Sequence, residues 1–246
     1  MDEKYAVVQN AEELYHQGNE IGVLVLHGFT GTTQSVKPVY NVLKDKGYTV
    51  YAPRLKGHGT HHEDMERSTK EDWLSSAQEG YEKLTEACER IFVTGLSMGG
   101  TLALHLGTQY QNIAGIIPIN PAIDMPHLKQ QSETDARFLT GIGSDIKKEG
   151  VHELAYEKTP VASIRELTTL MEKVKKNLHQ VTSPLLLLSS KTDNVVPPHN
   201  SQYVFSNVES KQKEMVTLPN SFHVATLDHD QGFLCEKIVK FISERC

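Results

Sequence analysis

The segment Arg90–Leu104 reads RIFVTGLSMGGTLAL, and it narrows the choice of fold more than any other part of the chain. Its first half is a β-branched and aromatic run of strand type, and its second half has the composition of a helix. Only Ser97, Met98, Gly99 and Gly100 lie between the two. A chain that leaves a buried strand and enters a helix with so little between must turn sharply. A strand followed at once by a helix is the start of a crossover to a parallel neighbour. That pattern points to a mostly parallel sheet covered by helices on both faces.

The rest of the chain keeps this rhythm. Ile21–Leu26 (IGVLVL) is a compact strand ending at His27-Gly28. Val36, Val39, Tyr40 and Leu43 fall at helical spacing within residues 35–46, and Gly47 is a plausible C-cap. Tyr48–Ala52 reads as a strand halted by Pro53, and Trp73, Ala77, Tyr81 and Leu84 mark a helix within residues 68–87. Residues 101–110 and 113–119 read as helix and strand. Leu185–Ser189, Pro198–Phe205, Lys213–Leu218 and Gly232–Ile242 continue as strand, helix, strand and helix. The expected class is α/β with a doubly wound, mostly parallel sheet. Residues 121–180 break the rhythm: they are polar, lack a core strand, and carry a helical stripe of Ile164, Leu167, Leu170, Val174 and Leu178. They are expected to form a small, mainly helical cap over the edge where the strands end, with residues 1–120 and 181–246 as the core.

Bulk properties remove several classes of function. At 246 residues, 38% apolar and 23% charged, the chain can build one domain with a real core. A net charge of −6 without a basic cluster excludes the footprint that nucleic acids and anionic membranes demand. No apolar run reaches the roughly 18 residues of a membrane span, and Met1-Asp2-Glu3-Lys4 does not open a signal peptide. Cys88, Cys235 and Cys246 are scattered and odd in number, so no disulfide framework is expected and a reducing cytoplasm is the default, with export by another route left open. Nothing in the chain specifies an oligomeric state.

Gly95-Leu96-Ser97-Met98-Gly99 matches G-x-S-x-G in the strand-to-helix context that makes the pattern meaningful. The glycines leave room for a strained turn that exposes the serine hydroxyl above the sheet. A serine needs a histidine to take its proton and a carboxylate to orient that histidine, in the chain order Ser, Asp or Glu, His. Asp193 follows the Leu185 strand and His223 follows the Lys213 strand, both beyond strand C-termini. Asp124 also satisfies the order, and His27, His199 and His229 are rival histidines. The backbone N–H groups of Met98 and Phe29, the latter in His27-Gly28-Phe29-Thr30-Gly31, are candidates for the oxyanion hole. Gly57–Asp64 (GHGTHHED) has no metal-ligand spacing, and neither metal nor cofactor is expected.

HGFTGT, PRLKGHGTHHEDMERST, FVTGLSMGGTLAL, LAYEKTP and NSFHVATLDHD together resemble the α/β-hydrolase superfamily. More narrowly, they resemble the bacterial monoacylglycerol lipases and the small bacterial carboxylesterases. The resemblance covers essentially the whole chain. It implies an α/β-hydrolase fold with a cap, hydrolysis of monoacylglycerols of medium to long chain without a metal, a triad of Ser97, Asp193 and His223, and oxyanion donors at Phe29 and Met98. A small lipid ester is then the expected partner. Asn120, just past a strand end, and Glu157, in the cap, are offered for the glycerol hydroxyls, and Ile164, Leu167, Leu170 and Val174 for the acyl channel. The alternatives are a broad carboxylesterase or thioesterase with the same triad, and, from another class, a non-catalytic binding module on this fold.

Overall fold

The computed structural model describes residues 1–246. In chain order, β1 (Leu14–His16), β2 (Ile21–Leu26), α1 (Lys37–Asp45), β3 (Thr49–Ala52), α2 (His62–Arg67), α3 (Lys70–Thr85), β4 (Arg90–Leu96), α4 (Met98–Gln109) and β5 (Gly115–Ile119) form the first half. Residues 121–180 follow, with α5 (Pro126–Ser132), a pair of short antiparallel strands β6 (Phe138–Thr140) and β7 (Lys158–Pro160), and α6 (Val161–Asn177). The second half is β8 (Leu185–Ser190), α7 (His199–Asn207), β9 (Lys213–Leu218) and α8 (Gln231–Ser243).

Seven strands make the main sheet in the order β1-β3-β2-β4-β5-β8-β9. All neighbours are parallel except β1, which pairs antiparallel with β3 at one edge. The central strands read as unbroken apolar runs because both faces are covered: every residue of β2, β5 and β8 is buried. Alternate residues serve opposite faces. Leu24 and Leu26 join the core cluster under α3, α4, α6 and α7, while Val23 and Val25 join the one under α1 and α8. The sheet is therefore doubly wound, as the alternation requires. The edge strand β1 is too short and polar to announce itself in sequence.

Residues 121–180 hold more than the helices α5 and α6. They include the β6–β7 pair, and between those strands residues 141–157 run without regular structure as a long strap. The stripe on α6 also does more than hold a cap: Leu167, Leu170, Met171 and Val174 belong to the same buried cluster as Leu102 and Leu106 of α4. Amphipathic periodicity reports that a face is buried, and only packing tells against what.

Candidate active site

The turn from β4 into α4 places Ser97 at φ 56°, ψ −118°, a backbone conformation that a side chain adopts only under strain. Close packing holds it there. A Cβ on Gly95 would lie 2.3 Å from the Gly99 carbonyl, and one on Gly99 would lie 2.2 Å from the Leu26 carbonyl oxygen. The two glycines of G-x-S-x-G thus let the elbow nest against the end of β2. Ser97 N–H donates to Ile119 O (2.9 Å), fastening the turn to β5. Met98 begins α4, so its N–H has no carbonyl within the helix to serve.

The loop after β2 approaches from the side. A Cβ on Gly28 would touch Ser97 Cβ at 3.4 Å. Phe29 is buried with its ring edge-on to Trp73, and Trp73 is edge-on to His58. His27 is a bracket for this loop. Its Nε2 accepts from Leu55 N–H (3.1 Å), so Nδ1 carries the proton and donates to Gly28 O (3.0 Å). Burial, aided by nearby His58, pushes His27 down to about 3, which keeps it neutral.

Asp193 and His223 meet beyond the ends of β8 and β9. His223 Nδ1–H donates to Asp193 Oδ2 at 2.7 Å, and Asp193 Oδ1 accepts from Val195 N–H (2.9 Å) and Val196 N–H (2.7 Å). The pair is almost completely shielded from water. Burial pushes the His223 imidazole down, but the Asp193 hydrogen bond and the negative charges of Asp193, Glu153 and Asp145 outweigh it and hold the group above its ordinary value. Among the rivals, Asp124 pairs with Lys175 Nζ (2.5 Å) on a half-exposed site, while His199 and His229 are exposed. In the histidine-rich turn, His58 donates to Lys56 O, His61 accepts from Glu63 N–H at the start of α2, and the His61 and His62 rings lie 4.0 Å apart.

Ser97 and His223 line one cavity, with no hydrogen bond drawn between them, together with Phe29, Met125, Leu128, Leu167 and Glu153. The space left is about 30 Å³, enough for a water but not for a substrate. A larger cavity of about 380 Å³ lies next to it and shares Leu128, Ile142 and Val195 as its wall. Glu153, from the strap, was not singled out in the sequence. Burial pushes its carboxyl up to about 7, against the pull of His223. Gly31 leaves it room: a Cβ there would sit 2.5 Å from Glu153 Oε1.

Neither polar residue offered for the glycerol hydroxyls reaches this cavity. Asn120 is buried at φ 45°, its Nδ2 donating to Ser190 Oγ (3.0 Å) and His223 O (2.8 Å) and its Oδ1 accepting from Ser190 N–H (2.8 Å). Its amide is fully engaged in steadying the loop of His223. Glu157 is exposed and lines a separate outer groove with His61 and His62. Nothing local distinguishes Glu153 from Glu157 in sequence; the path of the strap decides which one turns inward.

The chain is 48% identical over 247 aligned residues to a thermostable monoacylglycerol lipase from Bacillus sp. (strain H-257), covering 99% of each. It is 30% identical over 236 residues to a carboxylesterase from Bacillus subtilis (strain 168), covering 93% of this chain and 94% of the other. A solved structure from work on LipS and LipT, two metagenome-derived lipolytic enzymes, superposes with a TM-score of 0.95 at 44% identity, over 97% of this chain and 100% of that one. A family model described as serine aminopeptidase, S33, matches residues 19–230. With that match and an elbow serine at the C-terminal edge of a doubly wound sheet, the chain belongs to the S33 serine aminopeptidase family of α/β-hydrolases and is an enzyme of serine-hydrolase type.

Proposed function

We propose that this hydrolase cleaves monoacylglycerols to glycerol and free fatty acid through an acyl-enzyme on Ser97. The observation that carries the reading is one narrow cavity lined by Ser97, His223 and Glu153 among walls of Phe29, Met125, Leu128 and Leu167. An ester that joins an apolar chain to a polyol matches such a lining. The relative named for this activity, at 48% identity, supports it.

In this mechanism His223 Nε2 takes the proton of Ser97 as Oγ attacks the ester carbonyl. Nδ1 stays bonded to Asp193, which fixes the tautomer and stabilises the imidazolium. The carbonyl oxygen becomes an oxyanion on the amides of Phe29 and Met98, each such donor contributing on the order of 3 kcal/mol. His223 then protonates the departing glycerol oxygen, and water repeats the cycle on the acyl-enzyme. Glu153 takes the role of hydrogen-bonding partner for the glycerol hydroxyls in place of Asn120 and Glu157. Residues 121–180 act as the cap. The acyl chain passes Leu128 and Leu167 toward the larger cavity, whose wall includes Ile164 and Leu139. No helix is long and apolar enough to cross a membrane, and three free cysteines fit a reducing cytoplasm.

A general carboxylesterase is the second reading, favoured by the Bacillus subtilis relative. Titration of fatty acid released from 1-monolauroylglycerol, beside ethyl laurate, a short aryl ester, an acyl thioester and an aminoacyl anilide, ranks the candidates. The expected result is preference for the monoacylglycerol, abolished in Ser97→Ala. Equal rates on ethyl laurate would give the site to a general esterase, and turnover retained in Ser97→Ala would refute the serine mechanism.

A further inference from the structure

Asp145 belongs to the strap, yet its carboxylate lies between the two loops that carry the candidate acid and base. Oδ2 accepts from the backbone N–H of His223 (3.0 Å) and from that of Asn194 (3.0 Å), and Oδ1 accepts from Asn194 Nδ2 (2.8 Å). The Asp145 carbonyl accepts from Val224 N–H (3.1 Å). One residue thus joins the base itself to the residue that follows the acid. The strap is anchored beside it. Buried Asp228 accepts from the N–H groups of Lys147 (2.8 Å) and Lys148 (2.9 Å) on the strap and from Phe222 (2.8 Å) and His229 (2.8 Å) on the base loop. Other strap anchors go elsewhere: Gln34 holds His152 O and Leu154 N–H, and the Tyr156 hydroxyl holds Thr60 and Gly57.

We propose that Asp145 is a positioning residue of the reaction, acting through His223 and Asp193. It rests on the reading of Ser97, Asp193 and His223 as the triad. The acid and base sit on separate loops after adjacent strands, and their 2.7 Å contact requires those loops to stay in register. Asp145 supplies that register from the cap, so the triad is complete only while the strap is docked. Displacement of reacting groups by about 1 Å is enough to cost on the order of 100-fold in rate.

The test is steady-state hydrolysis of 1-monolauroylglycerol by the full-length protein and its Asp145→Ala, Asp145→Asn, Asp145→Glu and Ser97→Ala variants. Thermal melts accompany the kinetics, with proton NMR of the His223 Nδ1–H. Asp145→Ala is expected to lower kcat about 10- to 100-fold with KM nearly unchanged, and to broaden or shift the Nδ1–H resonance. Asp145→Asn keeps one oxygen to accept both backbone N–H groups, so it is expected to restore kcat to near wild type. Asp145→Glu keeps the charge but moves the oxygens by a methylene, and it reports the loss of kcat even where the alanine variant fails to fold. Wild-type kcat in a folded Asp145→Ala and in Asp145→Glu would overturn the proposal, as would an asparagine variant as slow as the alanine one. A fully active Ser97→Ala would instead remove the triad reading on which it stands.

Discussion

Of the four non-glycine residues at positive φ, Thr30, Ser97 and Asn120 lie in segments that leave the C-terminal ends of β2, β4 and β5. Backbone strain is therefore concentrated at the site, where the surrounding bonds can hold it. Glu153 adds a second strain, electrostatic in kind. Its carboxyl is raised from 4.5 to about 7 by burial, so the folded protein binds that proton more firmly than the unfolded chain. Stability then falls as pH rises from about 4.5 through about 7, and the full penalty remains above that. Glu153→Gln is expected to stabilise the protein at pH 8 by about 1–2 kcal/mol, discounted for partial contact with water. The gain should vanish as pH approaches 4.5, which melts across that range would check. The same charge faces His223. With His223 as the proposed base, activity requires its neutral form, so the acid limb of kcat/KM should lie above the ordinary 6.5, and Glu153→Gln should move it down. An unmoved limb would separate the two groups.

At the scale of elements, the strap of residues 141–157 is held by side chains more than by ladders. Tyr156 N–H donates to Thr30 O (3.2 Å) in the loop after β2, and its hydroxyl accepts from Thr60 N–H (3.0 Å) and donates to Gly57 O (2.9 Å). Tyr156→Phe leaves that buried amide and carbonyl without partners. It is expected to cost about 1–3 kcal/mol, read as a lower denaturant midpoint with the slope unchanged. A loss below about 0.5 kcal/mol would mean that water takes over both bonds.

For the whole molecule, the narrow space of about 30 Å³ beside Ser97 sets the problem: on the proposed reading, a lipid ester fits only if part of residues 121–180 yields. The strap is bonded to the loops after β2, β8 and β9, whereas β6 pairs only with the three residues of β7. Hydrogen exchange is expected to be faster over residues 126–143 than over 144–157, and to slow in 126–143 when a long-chain phosphonate occupies Ser97. Uniform exchange across both segments, unchanged by the phosphonate, would rule out a moving outer cap over a fixed strap.

The order of strands and helices and the elbow at Ser97 were legible in the chain, because buried parallel strands are continuous apolar runs and a G-x-S-x-G between strand and helix has few other uses. Arg90–Leu96 matches its predicted bounds for that reason, whereas the largely exposed edge strand Lys213–Leu218 shows itself by alternation instead. The candidate acid and base could be named because a parallel sheet delivers both loops to one edge. The short strands β1, β6 and β7 carry too few residues to show a period. The polar contacts of the site were beyond the sequence for a different reason. Asn120, Asp145, Glu153 and Glu157 are ordinary loop residues locally, and their roles depend on what an irregular strap meets when it crosses the sheet edge. Local periodicity thus determined the scaffold and the serine of the strand-to-helix elbow. Tertiary packing decided which carboxyl lines the cavity beside Ser97 and which ones fasten the loops around it.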